Sequence, residues 1–256
     1  MEKRLRDMKK TGGNTIIRSV SFHSDGFTLW GDLHFPEKAT KPPVIIGSHG
    51  LFATRQSPKQ VALAEACSVL GMAYFRFDHR GCGQSEGGAV EQYSFEGRSR
   101  DLLNAFEYVR GRGDTGSAVG LFGSSLGGAA ACRAFSAIKP EATVVFAAPT
   151  SSQTLFDYIG KHERLKTYPA FFYEKLSFDN CDLLQNLSNI LIFQGELDEI
   201  VPVSEARTIY NAAGKPKKLI VQKQGDHRMS DEDDQEQFVR IAAEWFEKGF
   251  ERKKRP

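Results

Sequence analysis

The stretch VGLFGSSLGGAAA, Val119 to Ala131, runs from apolar residues through two serines into glycines and alanines. That succession reads as a buried strand, a sharp turn and the start of a helix. Within it Gly123-Ser124-Ser125-Leu126-Gly127 fits G-x-S-x-G with Ser125 at the centre. Such a turn brings backbone close at the residues two before and two after the centre, so both must be small. Gly123 and Gly127 meet that need. Centring the motif on Ser124 would put Phe122 and Leu126 there, where their side chains would clash. Ser125 is therefore the candidate nucleophile, and the competing reading is an unreactive N-cap serine. The small residues after it let the helix start press against the sheet and aim the Leu126 N–H toward the turn.

A serine hydroxyl is a weak nucleophile at neutral pH and needs a base, which itself needs an orienting acid. For a serine on such an elbow the chain order is Ser, acid, His, each after a strand. Downstream of Ser125 only His162 and His227 remain. His162 sits among charged neighbours in GKHERL and reads as a surface residue. His227 follows the apolar run KLIVQK directly, where the base belongs. In NILIFQGELDEIVP, Asp198 lies four residues beyond the apolar run and supplies the acid. Glu196 and Glu199 are rivals in the same loop, and Asp226 is too close to its neighbour's ring to fold back onto it. A developing oxyanion needs backbone N–H donors. Leu126 offers one, and Leu51, in the loop GSHGLFATR where Gly50 permits a sharp turn, offers the second. His49 reads as an orienting hydrogen bonder for that loop rather than a base. His79 reads as structural, in a turn with Asp78, Arg80, Gly81 and Gly83, and His23 and His34 lie in the opening strands, away from the site.

Around this core, short β-rich runs alternate with helical periods, which signals an α/β fold with a mostly parallel sheet. TIIRSVSFHS and FTLWGDLHF, joined by Asp25-Gly26, predict an opening antiparallel hairpin. PVIIGSH, MAYFRF, AVGLFG, TVVFAAP, NILIFQG and KLIVQK follow, mostly as continuous apolar runs suited to strands buried on both faces. Ser57-Pro58-Lys59-Gln60 predicts a capping box with proline at N1 of a helix that Gly71 closes. Leu102, Phe106 and Val109 keep helical spacing, as do Ala206, Ile209, Tyr210 and Ala213 before Gly214. A last helix is expected from near Ser230, with DEDD favourably placed in its first turn. Residues 150–186 are too long for a plain strand-to-helix connection and carry seven aromatics. They read as a small helical lid at the carboxyl edge of the sheet, where open α/β sheets bind ligands. From the lid Phe156, Tyr168 and Phe172, with Phe52 beyond the third strand, are the candidate substrate contacts.

At 256 residues and 40% hydrophobic, the chain has the length and composition of an ordinary globular protein, read here as one domain over 1–256. A formal charge of +2 is too small to imply a polyanionic partner, and no nucleic-acid motif interleaves its basic residues with exposed aromatics. The basic ends MEKRLRDMKK and ERKKRP read as solvated termini. No run approaches the ~18 apolar residues of a membrane span, and no signal-peptide pattern is present. The four cysteines lack C-x-x-C spacing, so reduced thiols, no metal and a cytoplasmic location are expected.

The blocks SHGLFATR, FDHRGCGQSEG, GLFGSSLGG, FQGELDEIVP and GDHR together resemble the α/β-hydrolase superfamily. They are closest to its small-lid serine esterases, which include cinnamoyl and feruloyl esterases and the serine-aminopeptidase-like hydrolases. The resemblance covers roughly residues 16–250. It implies an eight-stranded sheet with only the second strand antiparallel, helices on both faces, a catalytic triad and no cofactor. Asp226 before the histidine departs from the commoner glycine-alanine-histidine form. The expected activity is cleavage of carboxylic esters of small to medium acyl groups, possible aryl esters included, through an acyl-enzyme on Ser125. Thioester cleavage, or peptide cleavage with Glu163, Arg164 or Glu174 anchoring a peptide terminus, is the alternative on the same triad. A non-catalytic binding protein of this fold is the reading from another class. A small-molecule ester is the expected partner, and monomer and homodimer are both compatible with the sequence.

Overall fold

The computed structural model describes residues 15–162 and 167–254. Its opening strands, β1 (Thr15–Ser24) and β2 (Phe27–Pro36), are joined at Asp25 and Gly26, whose φ values of +50° and +89° are those of a type I′ hairpin. They pair in antiparallel register from Thr15 with Pro36 to Ser24 with Phe27. The remaining strands are β3 (Val44–Ser48), β4 (Ala73–Phe77), β5 (Val119–Ser124), β6 (Ala142–Phe146), β7 (Ile190–Gly195) and β8 (Lys217–Gln222). The sheet order is β1-β2-β4-β3-β5-β6-β7-β8. β2 runs antiparallel to both neighbours, and every pairing from β4 through β8 is parallel. Each expected strand is present.

The strands of the middle read as unbroken apolar runs because both sheet faces are covered. Along β3, Val44 and Ile46 join one buried cluster and Ile45 the other. Ile190 and Ile192 of β7 alternate with Leu191 and Phe193 in the same way. One face packs against α3 (Phe95–Arg110) and α4 (Leu126–Ile138), through Leu102, Ala105 and the alanines that follow the elbow. The other carries α1 (Pro58–Val69) and the long C-terminal helix α8 (Glu232–Lys254), whose Phe238 meets Phe122, Phe146 and Phe193. The acidic residues Glu232, Asp233 and Asp234 lie in the first turn of α8, as the sequence suggests, although the helix starts two residues past Ser230.

The capping box expected at Ser57 is not made. Ser57 is the N-cap of α1 and Pro58 occupies its first turn, but the serine side chain caps nothing. Gln60, the would-be reciprocal partner, is buried and accepts a hydrogen bond from the Tyr74 hydroxyl at 3.4 Å. Burial against β4 thus takes the side chain that the local motif would have used. Gly71, at φ +81°, follows the end of α1 as expected.

Between β6 and β7 the chain forms α5 (Ser152–Gly160), α6 (Ala170–Leu176) and a 3₁₀ turn (Cys181–Asn186). A bridge between Ser151 and Asp179 ties the two ends of this excursion together. Residues 163–166 lie outside the described residues, as do 1–14 and 255–256, and with them Glu163, Arg164 and most of the basic termini.

Candidate active site

In a parallel sheet every connection leaving a carboxyl end opens on the same edge. Here the loops after β3, β5, β7 and β8 deliver Leu51, Ser125, Asp198 and His227 to that edge, and the excursion after β6 lies across them. Ser125 has φ +53° and ψ −123°, a backbone conformation rare for a side-chain-bearing residue and characteristic of functional turns. Its N–H is held by Phe146 O at 2.8 Å, and its carbonyl receives the N–H groups of Gly128 and Ala129. The glycines behave as the motif requires. A Cβ on Gly123 would overlap Gly127 O, and one on Gly127 would overlap Ser48 O and His49 O. Ser124 completes β5 and is buried.

The carboxylate of Asp198 is fully buried and lies 2.9 Å through either oxygen from His227 Nδ1, which donates to it. The Ile200 and Val201 N–H groups donate to Oδ1 at 2.9 and 2.8 Å, and Gln194 Nε2 donates to Oδ2 at 2.9 Å. An acceptor so surrounded by donors is fixed in place. The rivals are otherwise placed. Glu196 is exposed, and Glu199 only receives the His227 backbone N–H at 3.4 Å. Asp226 accepts from Ser230 N and Oγ at 2.8 and 2.6 Å, so it ties the turn before α8. His162 is exposed and its Nδ1 donates to Tyr158 O.

Leu51 and Leu126 present backbone N–H groups with no partner among the turn and cap hydrogen bonds of the described residues. Gly50 brings the Leu51 loop against the elbow, where a Cβ would lie 3.3 Å from Ser125 Cβ. The loop is braced from behind. Arg98 Nη1 donates to His49 O at 2.9 Å, His49 Nδ1 donates to Gly50 O at 2.8 Å, and His49 Nε2 accepts from His79 N at 3.2 Å. Burial, with Arg98 adding repulsion, drives His49 well below the usual imidazole value and His79 down to about 4. Both rings are therefore neutral near pH 7. They act as orienting groups, with His79 bridging Ser48 Oγ at 2.8 Å and Asp101 Oδ2 at 3.4 Å.

Ser125 and His227 line one cavity of about 520 Å³. Of the four candidate substrate contacts, Phe52, Tyr168 and Phe172 line it as well. Phe52, at φ +59° and 55% exposed, stacks on Tyr168 at 6.1 Å, and Tyr168 stacks on Phe172 at 4.2 Å. This ladder of rings links the Leu51 loop to the lid. Phe156 does not line the cavity; it packs on Tyr173 at 5.3 Å within the lid. The lid aromatics thus divide, and Phe178 belongs to the core, stacked 3.9 Å from Phe95. Glu174, expected with Glu163 and Arg164 as a possible peptide anchor, is an exposed residue that does not line the cavity. Sequence reasoning missed Lys59 and Arg228, both on the cavity wall, and Gln194 behind Asp198. Their only sequence signals are position: the first turn of the helix leaving the Leu51 loop, the residue after His227, and the strand residue four before Asp198.

A twisted, mostly parallel eight-stranded sheet with a serine elbow after its fifth strand and an acid–histidine pair after its seventh and eighth defines the α/β-hydrolase fold. A family model described as serine aminopeptidase, S33, matches residues 40–161. An uncharacterized protein of Mycobacterium tuberculosis is 29% identical over 203 residues, covering 77% of this chain and 67% of its own length. The palmitoyl-protein thioesterase ABHD10 of Mus musculus is 28% identical, over 76% of this chain and 72% of its own. The lysophosphatidylserine lipase ABHD12 of Xenopus tropicalis is 27% identical over 77% of this chain, which spans only 55% of that protein. Among solved structures, Est1E of Butyrivibrio proteoclasticus with bound ferulic acid has a TM-score of 0.76 at 18% identity, covering 90% of this chain and 99% of that one. The chain has the α/β-hydrolase fold, and its sequence is similar to members of that superfamily.

Proposed function

We propose that the protein is a serine hydrolase that cleaves carboxylic esters through an acyl-enzyme on Ser125. The observation that carries this reading is Ser125 on its strained elbow sharing one cavity with His227, whose Nδ1 is paired with Asp198. In the proposed reaction His227 Nε2 takes the Ser125 hydroxyl proton as Oγ attacks the ester carbonyl. The carbonyl oxygen gains charge toward the Leu51 and Leu126 N–H groups. The C–O bond to the alcohol then breaks, and His227 returns the proton to the departing oxygen. Water repeats the sequence on the acyl-serine, with His227 again as base, and releases the acid. Asp198 fixes the imidazole tautomer throughout.

Thioesters enter the same chemistry with sulfur as the departing atom. An apolar lid wall and a relative named as a palmitoyl-protein thioesterase favour testing them beside oxygen esters. Wild-type protein and Ser125→Ala are to be compared on p-nitrophenyl acetate, longer p-nitrophenyl esters, hydroxycinnamoyl esters and acyl thioesters. The expected loss in kcat is on the order of 10⁶, with loss of fluorophosphonate labelling. Near-normal turnover by Ser125→Ala would reject the mechanism. Failure of the wild-type protein both to label and to turn over any ester would favour a binding protein instead.

A further inference from the structure

The wall of the cavity has a charge pattern that the triad does not use. Among the described residues lining it are two cations, Lys59 and Arg228, and no carboxylate. Lys59 Nζ donates to Arg228 O at 2.5 Å and sits 4.8 Å from the centre of the Phe146 ring. Phe146 O in turn holds the Ser125 N–H, and Lys59 and Ser125 line the same cavity. One N–H of an ammonium satisfies that carbonyl, and two remain available. No ion pair within 4 Å engages Lys59 among the described residues. The nearby acids are otherwise engaged: Asp198 holds His227, and Asp226 holds Ser230. Burial lowers the Lys59 ammonium to about 8, offset only in part by the pull of Asp226 and Asp198. A half-buried cation left short of a counter-charge gains from an anionic ligand. At the lid end the cavity is lined instead by Leu155, Ile159, Tyr168 and Phe172.

Resting on the hydrolase reading above, we infer that the site is built for amphiphilic esters: an apolar group lies under the lid and an anionic group, carboxylate or phosphate, is seated on Lys59 with Arg228 beside it. Lys59 is then a specificity-determining residue whose charge sorts substrates.

Matched pairs of esters test this. p-Nitrophenyl hexanoate is compared with mono-p-nitrophenyl adipate, which carries a carboxylate on the acyl side. 1-Hexanoylglycerol is compared with its 3-phosphate, which carries the anion on the alcohol side. The readout is the ratio of kcat/KM for the anionic over the neutral member, measured at low and moderate salt. At least one pair is expected to favour the anion, and the pair that does identifies the side and the chemistry of the group. Lys59→Gln should lower that ratio about 10-fold, the scale of one charge-assisted hydrogen bond, and Lys59→Arg should keep most of it. Thermal melts confirm that the variants fold, and Arg228→Gln gives a second, smaller reduction.

Binding is measured separately in the Ser125→Ala protein by calorimetry with octanoate, octyl phosphate and octanol. One of the anions should bind about 10-fold more tightly than the alcohol, and Lys59→Gln in the same background should remove the difference. If esters are inert but this anion preference holds, the hydrolase reading fails and the anion site stands. If neutral esters turn over while neither pair favours the anion, or if Lys59→Gln slows both members equally, the inference is overturned. Lys59 then serves only to clamp the Arg228 carbonyl beside His227.

Discussion

At the scale of single residues, the site depends most visibly on one carboxylate. Asp198 accepts from His227, from Gln194 and from two backbone N–H groups of its own loop. An asparagine there would keep the shape but replace one acceptor oxygen with an NH₂ group. That group faces donors on every side, so either an amide N–H meets another N–H or the imidazole flips to the wrong tautomer. Asp198→Asn is expected to lower kcat roughly 10⁴-fold, as in triads on other folds, with little change in KM. Steady-state kinetics on p-nitrophenyl esters check this. A loss below about 10-fold would mean that Glu199, already within reach of the His227 backbone, can take over the role.

At the scale of elements, the lid meets the Leu51 loop through stacked rings. Phe52, Tyr168 and Phe172 form one stacked wall, and Tyr93 of the short helix α2 (Ala89–Tyr93) meets Phe172 edge-on at 4.8 Å. Tyr168 is half-buried and leaves the core little affected when removed, whereas Phe172 is fully buried. Tyr168→Ala is therefore expected to raise KM for hexanoyl esters several-fold more than for acetyl esters, the worth of an aromatic pair at about 0.5–1.5 kcal/mol. Equal effects on both chain lengths would place the ring outside the acyl path. The wall also marks where sequence reading stops. The strands and the elbow are legible because burial on both faces and backbone crowding leave few residue types able to occupy them. Phe122 and Gly127 illustrate both constraints. The lid is not legible in that way, since Phe156 and Phe172 share one composition and differ only in which neighbour they meet. The capping box at Ser57 fails for a related reason, because burial of Gln60 outweighs a local hydrogen bond. Lys59 and Gln194 carry no motif at all, and only the packing of α1 and β7 brings them to the site.

At the scale of the whole molecule, a layer of buried charge joins the opening hairpin to the candidate site. Arg55, from the loop that carries Leu51, pairs with Asp32 of β2 at 3.1 Å and with Asp78 beyond β4. Arg76 donates to Arg55 O at 2.7 Å and to His34 Nε2 at 2.8 Å. Next to this group, Arg80 and His79 share Asp101, a carboxylate held down to about 2 by hydrogen bonds from those two side chains and by their charge, against the opposing effect of burial. Burial and neighbouring arginines also lower His34 and His79 to about 4. The sign of the linkage follows directly. Between about pH 6.5 and 4 the unfolded chain takes up protons on these imidazoles while the folded one does not, so stability falls as the pH falls. The slope approaches about 1.4 kcal/mol per pH unit for each histidine within that window. Loss of the Asp101 contribution follows only below ~3.8, as the carboxylate protonates in the unfolded chain. Thermal melts are expected to be near their highest above pH 6.5 and to drop steadily toward pH 4. In His34→Gln, which can still accept from Arg76, the fall should be shallower, and a Tm independent of pH from 7 to 4.5 would show that the buried rings titrate as they do in water. Because Arg98 and His79 brace the Leu51 loop from within the same layer, ester turnover should be lost in acid no later than the fold itself.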